Sequence, residues 1–182
     1  MQIELKGRYQ DDSSELLEAQ GILKGSWSAA CEAYAAKYWA CEALGKKPPM
    51  GVQPFLNSVL DERFKEAGWV GGDGRYTKSD TWFRVTFRHQ MSLGSDLIDG
   101  LLLAKKEGIK QIVVAAAAPD FAKIITPRDA NSSVNFEKLD AYFARAKDLY
   151  TIDAAIGRLT INQNPPTEIE ALILSRHLIA DS

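Results

Sequence analysis

Apolar residues recur at Trp27, Cys31, Tyr34, Tyr38, Cys41 and Leu44, in steps of three or four, so all six fall on one face of a helix. Gly45 supplies its stop, and Lys46-Lys47-Pro48-Pro49 makes a break that a helix cannot cross. Upstream, after a polar start, Asp12 and Glu15 stand at capping-box spacing before a short apolar stretch at 16–22. That predicts a separate, modest helix ended by Gly21 or Gly25. Beyond the proline break, Phe55, Val59, Glu62 and Ala67 share one side of a further helix, with Gly68 behind it.

The period changes after Gly71-Gly72-Asp73-Gly74, which is a turn signal. Residues 81–88 alternate, with Phe83, Val85 and Phe87 on one face and Trp82, Arg84, Thr86 and Arg88 on the other, predicting a strand with one decorated face. Ser95 or Asp96 can cap a helix running through Leu97, Gly100, Leu101, Ala104 and Lys105 to Gly108, and 111–117 is a continuous apolar run of strand length. Strand, helix and buried strand make a βαβ unit. A loop follows Pro119, then Asn135 precedes a helix carrying Leu139, Tyr142, Phe143, Ala146 and Leu149. Ile156, Leu159 and Ile161 suggest a short strand, and Thr167 with Glu170 forms a capping box before a last helix.

This order predicts an α/β (α+β) fold: a central mixed β-sheet flanked by helices. One domain spans 1–182, with a helical N-terminal part at 12–67, an αβ core at 68–161 and a C-terminal helix at 167–180. A doubly wound nucleotide-binding fold is disfavoured, because the glycine cluster precedes a strand rather than opening a helix. With 182 residues, 46% of them hydrophobic and 25% charged, the chain can bury a core without disulfides or a structural metal. No apolar run approaches the roughly 20 residues of a bilayer span, and the first residues lack the layout of a secretory signal, so a cytoplasmic location without a membrane partner is expected. Cys31 and Cys41, with only His89 and His177 elsewhere, make no zinc-type set and read as buried thiols.

The net charge of -2 argues against a protein that coats nucleic acid by bulk charge, but not against a local basic surface. Residues 75–88 hold Arg75, Lys78, Arg84 and Arg88 against Asp80 alone, which is +4 and -1. Guanidiniums grip phosphate in a bidentate fork and aromatics stack on bases, so the face bearing Trp82, Arg84 and Arg88 could contact a nucleic-acid backbone, with His89 beside it; the alternative is an ordinary solvated face. The polar loop around Ser132-Ser133 reads as connecting or recognition sequence. Trp39 lies off the main apolar face of its helix and could mark a homodimer interface. No Gly-x-Ser-x-Gly elbow occurs, and two histidines give no triad order.

Leu60-Asp61-Glu62-Arg63-Phe64-Lys65-Glu66-Ala67-Gly68-Trp69, then Arg84-Val85-Thr86-Phe87, then Asp96-Leu97-Ile98-Asp99-Gly100-Leu101-Leu102-Leu103-Ala104-Lys105, then Ile109-Lys110-Gln111-Ile112-Val113-Val114 together resemble the core of type II restriction endonucleases of the PD-(D/E)XK kind, in the BamHI/BglII-like branch. The resemblance implies that fold, a double-stranded DNA partner, and Mg²⁺ held by carboxylates on adjacent strands. Arg84 and Thr86 stand where it would need acidic or amide oxygen ligands. An arginine there repels Mg²⁺ while still attracting phosphate. The leading expectation is therefore a catalytically degenerate nuclease fold, without a cofactor, binding DNA through Arg75, Lys78, Arg84, Arg88 and His89. One alternative is an active Mg²⁺-dependent endonuclease with relocated catalytic carboxylates Glu62, Asp73 and Asp80, of which Asp80 and Glu62 would hold the metal. The other is a non-enzymatic protein-interaction or immunity-type protein.

Overall fold

The computed structural model describes residues 1–10, 12–87, 93–126 and 132–161. In it the two expected N-terminal helices are one: α1 runs Ser14–Ala43 without a break. Its cap is Ser13 rather than Asp12, the Leu16 amide donating to the Ser13 Oγ at 3.3 Å. Gly25 lies inside the helix, and the Arg63 guanidinium of α2 (Gln53–Glu66) lies against it where a Cβ would stand. Close helix crossing there outweighs the roughly 1 kcal/mol that glycine costs a helix interior. Nothing in the structure explains Gly21. α2 ends as its sequence suggests, with Gly68 at a φ of 81° and the Trp69 amide donating to the Phe64 carbonyl at 2.9 Å.

Among the described residues six strands form one sheet: β1 (Gln2–Gly7), β2 (Val70–Gly72), β3 (Arg75–Lys78), β4 (Thr81–Thr86), β5 (Gln111–Ala117) and β6 (Asp153–Thr160), in the order β1-β6-β5-β4-β3-β2. β4, β5 and β6 are parallel, β1 runs antiparallel to β6, and β2-β3-β4 form an antiparallel meander. The sheet is therefore mixed, as expected, and the βαβ unit is β4, α3 (Leu93–Glu107) and β5. The polar start is an edge strand instead, whose Ile3 and Leu5 pack on the core. β2 and β3 were hidden in the turn signal: Asp73 and Gly74, at φ 52° and 75°, make a two-residue hairpin turn between them. The stretch after Pro119 is a short helix, α4 (Pro119–Ile125), with proline in its first turn, where the missing amide costs nothing. α5 (Phe136–Ala146) starts at the expected cap, the Lys138 amide donating to Asn135 Oδ1 at 3.1 Å.

Helices cover both faces of the sheet. α1 and α2 pack on the side carrying Phe83, Val85, Val113 and Ala115, while α3 and α5 pack on the side carrying Trp82, Ile112, Val114 and Ile156. Cys31 and Cys41 are buried thiols of α1 and are not joined by a disulfide. The C-terminal helix expected at 167–180 lies outside the described residues. The tightest aromatic contact joins α2 to the meander: Phe64 stacks on Tyr76 at 3.9 Å between ring centroids and meets Trp69 edge-on at 5.3 Å. Phe64 is fully buried, so Phe64→Ala should destabilise the fold by about 3–5 kcal/mol, read from urea unfolding followed by tryptophan fluorescence. A loss below about 1 kcal/mol would mean that α2 does not seat here.

Candidate active-site corner

The register of β3 against β4 sets Arg75 directly opposite Arg84. Like charges so placed destabilise a sheet unless anions answer them. α3 supplies the anions from its first turns, Asp96 and Asp99, which a three-residue spacing puts on one side of the helix. Asp96 Oδ1 lies 3.2 Å from Arg84 Nε and 3.6 Å from an Arg75 terminal nitrogen, and Asp99 Oδ2 lies 3.1 Å from that same nitrogen. Thr86 Oγ1 donates to Asp96 Oδ2 at 3.1 Å, and the Arg84 guanidinium also donates to the Asp73 carbonyl in the hairpin turn. Two cations meet two anions. The inner pair, Arg84 with Asp96, has side chains 0% exposed, whereas Arg75 and Asp99 are each 40% exposed.

α3 is aimed by two further contacts. Gly100 lets it approach Trp82, where a Cβ would sit 3.0 Å from the indole, and the Tyr150 hydroxyl donates to the Leu97 carbonyl at 3.1 Å. Burial pushes the Tyr150 pKa up to about 12, so that hydroxyl stays a donor at any ordinary pH. On the other side of the sheet the Tyr76 hydroxyl donates to Asp61 Oδ1 at 2.7 Å, holding α2 to the hairpin. Burial, then the Asp61 bond, raises the Tyr76 pKa.

These positions correct the expected basic strand face. β4 is buried along its whole length, because α3 closes over the side that carries Trp82, Arg84 and Thr86. Arg84 is therefore an interior ion-pair partner and not a surface contact. Lys78 is also engaged, donating to Glu18 of α1 at 2.7 and 3.0 Å and to the Ala67 carbonyl at 2.7 Å. Glu18 accepts from the Trp69 indole at 2.6 Å as well, and the Lys78 bond is the main cause of a pKa below the usual carboxylate range. Arg88 and His89 lie outside the described residues. Arg75 keeps the most open side chain of the described basic candidates, 40% exposed against 31% for Lys78. Trp39 is 58% exposed, in keeping with its place off the apolar face.

The relocated acidic set does not assemble either. Glu62 is exposed on α2, Asp73 is exposed in the β2–β3 turn, and Asp80 sits in the β3–β4 turn, paired with Lys110 at 2.9 Å. Asp73 and Asp80 flank the two ends of β3, which at roughly 3.3 Å per residue keeps them more than about 10 Å apart, too far to share one cation. Among the described residues no group of three or more His, Cys, Asp or Glu could hold a metal ion. The Mg²⁺ of the endonucleases that the sequence resembles does not fit this corner, because Arg75 and Arg84 present N–H donors and positive charge where a hard cation needs anionic oxygen. What sequence reasoning missed was the answering acids. Asp96 was read as a helix-start residue, and its spacing to Asp99 was the signal that could have exposed the pair.

No protein-family model and no curated protein matches the chain. Among solved structures it is similar to "Crystal structure of restriction endonuclease BGLII complexed with DNA 16-mer", at a TM-score of 0.61 and 14% identity, over 89% of this chain and 78% of that one. The fold is restriction-endonuclease-like. No helix of the described residues is long and apolar enough to cross a membrane.

Removing one side of the inner pair strands a buried guanidinium, so Asp96→Asn should cost about 3–5 kcal/mol in urea unfolding. Arg75→Gln, at the water-facing pair, should cost less than about 1 kcal/mol. Equal losses would contradict the burial assigned to the two arginines. For Glu18, a folded pKa below the unfolded value of about 4.3 gives stability that is full above that pH and is lost as pH falls through the folded value. Glu18→Gln should therefore lower Tm at pH 7, and the loss should shrink steadily as pH falls below about 4.3, by scanning calorimetry.

Proposed function

We propose that this chain is a non-cleaving nuclease-fold domain that binds double-stranded DNA. The observation that carries the first half is the Arg75–Arg84 pair with its acids Asp96 and Asp99, a charge-balanced cluster on the adjacent strands where the endonucleases that the sequence resembles hold Mg²⁺ through carboxylates. A guanidinium carries positive charge and only N–H donors and cannot ligate a metal, so the corner is suited to an anion rather than to Mg²⁺. The second half is supported by the similar structure, a restriction endonuclease complexed with a DNA 16-mer. With a net charge of -2 the affinity must come from a few local phosphate contacts, and such binding weakens linearly in log salt.

Supercoiled plasmid incubated with the full chain and Mg²⁺ or Mn²⁺ should stay uncut. A labelled DNA duplex should bind by fluorescence anisotropy at low salt, equally well with EDTA present, and lose affinity steeply as salt rises. Cleavage that EDTA abolishes would overturn the non-cleaving half. Absence of duplex binding at about 50 mM salt, where phosphate contacts are strong, would overturn the DNA half.

A further inference from the structure

The outer pair of the cluster, Arg75 with Asp99, is open to water, and what it could bind rests on the reading above that DNA is the partner. The geometry points to Arg75 as an exchangeable phosphate arm held by Asp99: with no DNA bound it pairs with that carboxylate, and on DNA binding it trades the carboxylate for a backbone phosphate oxygen. Arg75 is held through a single terminal nitrogen, at 3.1 Å from Asp99 and 3.6 Å from Asp96, and its Nε has no hydrogen-bond partner among the described residues. A phosphate offers that guanidinium the bidentate contact it lacks here. Asp96 is not stranded when Arg75 leaves, because Arg84 at 3.2 Å and Thr86 at 3.1 Å still hold it.

The surroundings leave room for the exchange. The Arg75–Asp99 pair opens on a groove of about 320 Å³ that Leu102 and Lys106 also line. Beside it, the face of the β2–β3 hairpin next to Arg75 carries Val70, which is 75% exposed. The other described candidates cannot serve: Arg84 is fully buried and Lys78 is bonded to Glu18 and to the Ala67 carbonyl. Asp99 thus acts as an internal competitor for the phosphate, an autoinhibitory contact built into α3.

The two members of the pair should act in opposite directions on DNA, which a purely structural pair would not do. In duplex-binding titrations across a salt series, Arg75→Gln should weaken binding and reduce the slope of log affinity against log salt by about 0.9, the loss of one phosphate contact. Asp99→Asn should tighten binding about two- to fivefold at low salt, the range of an exposed ion pair, and this gain should vanish when combined with Arg75→Gln. Glu107→Gln, which removes a neighbouring acid on the same groove, controls for general repulsion and should change affinity less than Asp99→Asn. Failure of the unaltered chain to bind sinks the DNA reading and the arm with it. Binding with an unchanged slope in Arg75→Gln sinks the arm and leaves the DNA reading standing, and a gain from Asp99→Asn that survives Arg75→Gln sinks the competition. Urea unfolding of each variant separates these outcomes from loss of the fold.

Discussion

A guanidinium with none of its surface in water can persist only where an anion and further acceptors take over from solvent, and Arg84 has Asp96 and the Asp73 carbonyl. Much of the architecture is fixed by that requirement. α3 must begin just beyond the end of β4 so that its first turn reaches back over the strand. The β2–β3 turn must direct a carbonyl inward, which a hairpin through Asp73 and Gly74 achieves. β3 must then bring Arg75 beside the same carboxylate, and Asp99 must follow one turn later to balance the second charge. Hydrophobic packing supplies the bulk of the stability, and these charges meet only in the register the layers adopt.

How much of this the sequence revealed follows from how local each signal was. β5 could be located to the residue because a strand covered on both faces reads as an unbroken apolar run, and α5 could be placed by its asparagine cap. β1 was missed because only Ile3 and Leu5 turn inward, too few to establish a period, and α4 because seven residues beginning at a proline resemble a loop. The neighbour that lies against Gly25 inside α1 is Arg63, which is distant in sequence, so no local rule anticipates a glycine in mid-helix there.

The site was legible in its residues and misread in its environment. Alternation along 81–86 divided the two faces of β4 correctly, and Arg75 and Arg84 were singled out. A polar face was then taken for a wet one. The βαβ unit recognised in the same stretch contains the correction, because its crossover helix must cover one face of the sheet, and here it covers the face bearing Arg84. Charged residues beneath a crossover helix imply partners on that helix, and Asp96 and Asp99 are the acids within reach.

A likeness at 14% identity speaks for the course of the chain alone, since backbone topology answers to apolar burial and a metal site to a few carboxylates. An acidic cluster built for a cation repels itself until the cation arrives. Four charges summing to zero impose no such demand, so this corner holds together on its own side chains. The same ion-pair chemistry then does different work at two depths. In the interior, where water cannot replace a lost partner, Arg84 and Asp96 act as a structural joint. A few ångströms outward, where it can, Arg75 and Asp99 form a contact weak enough to be exchanged, and that difference in solvation makes the outer pair the part of the cluster suited to recognition.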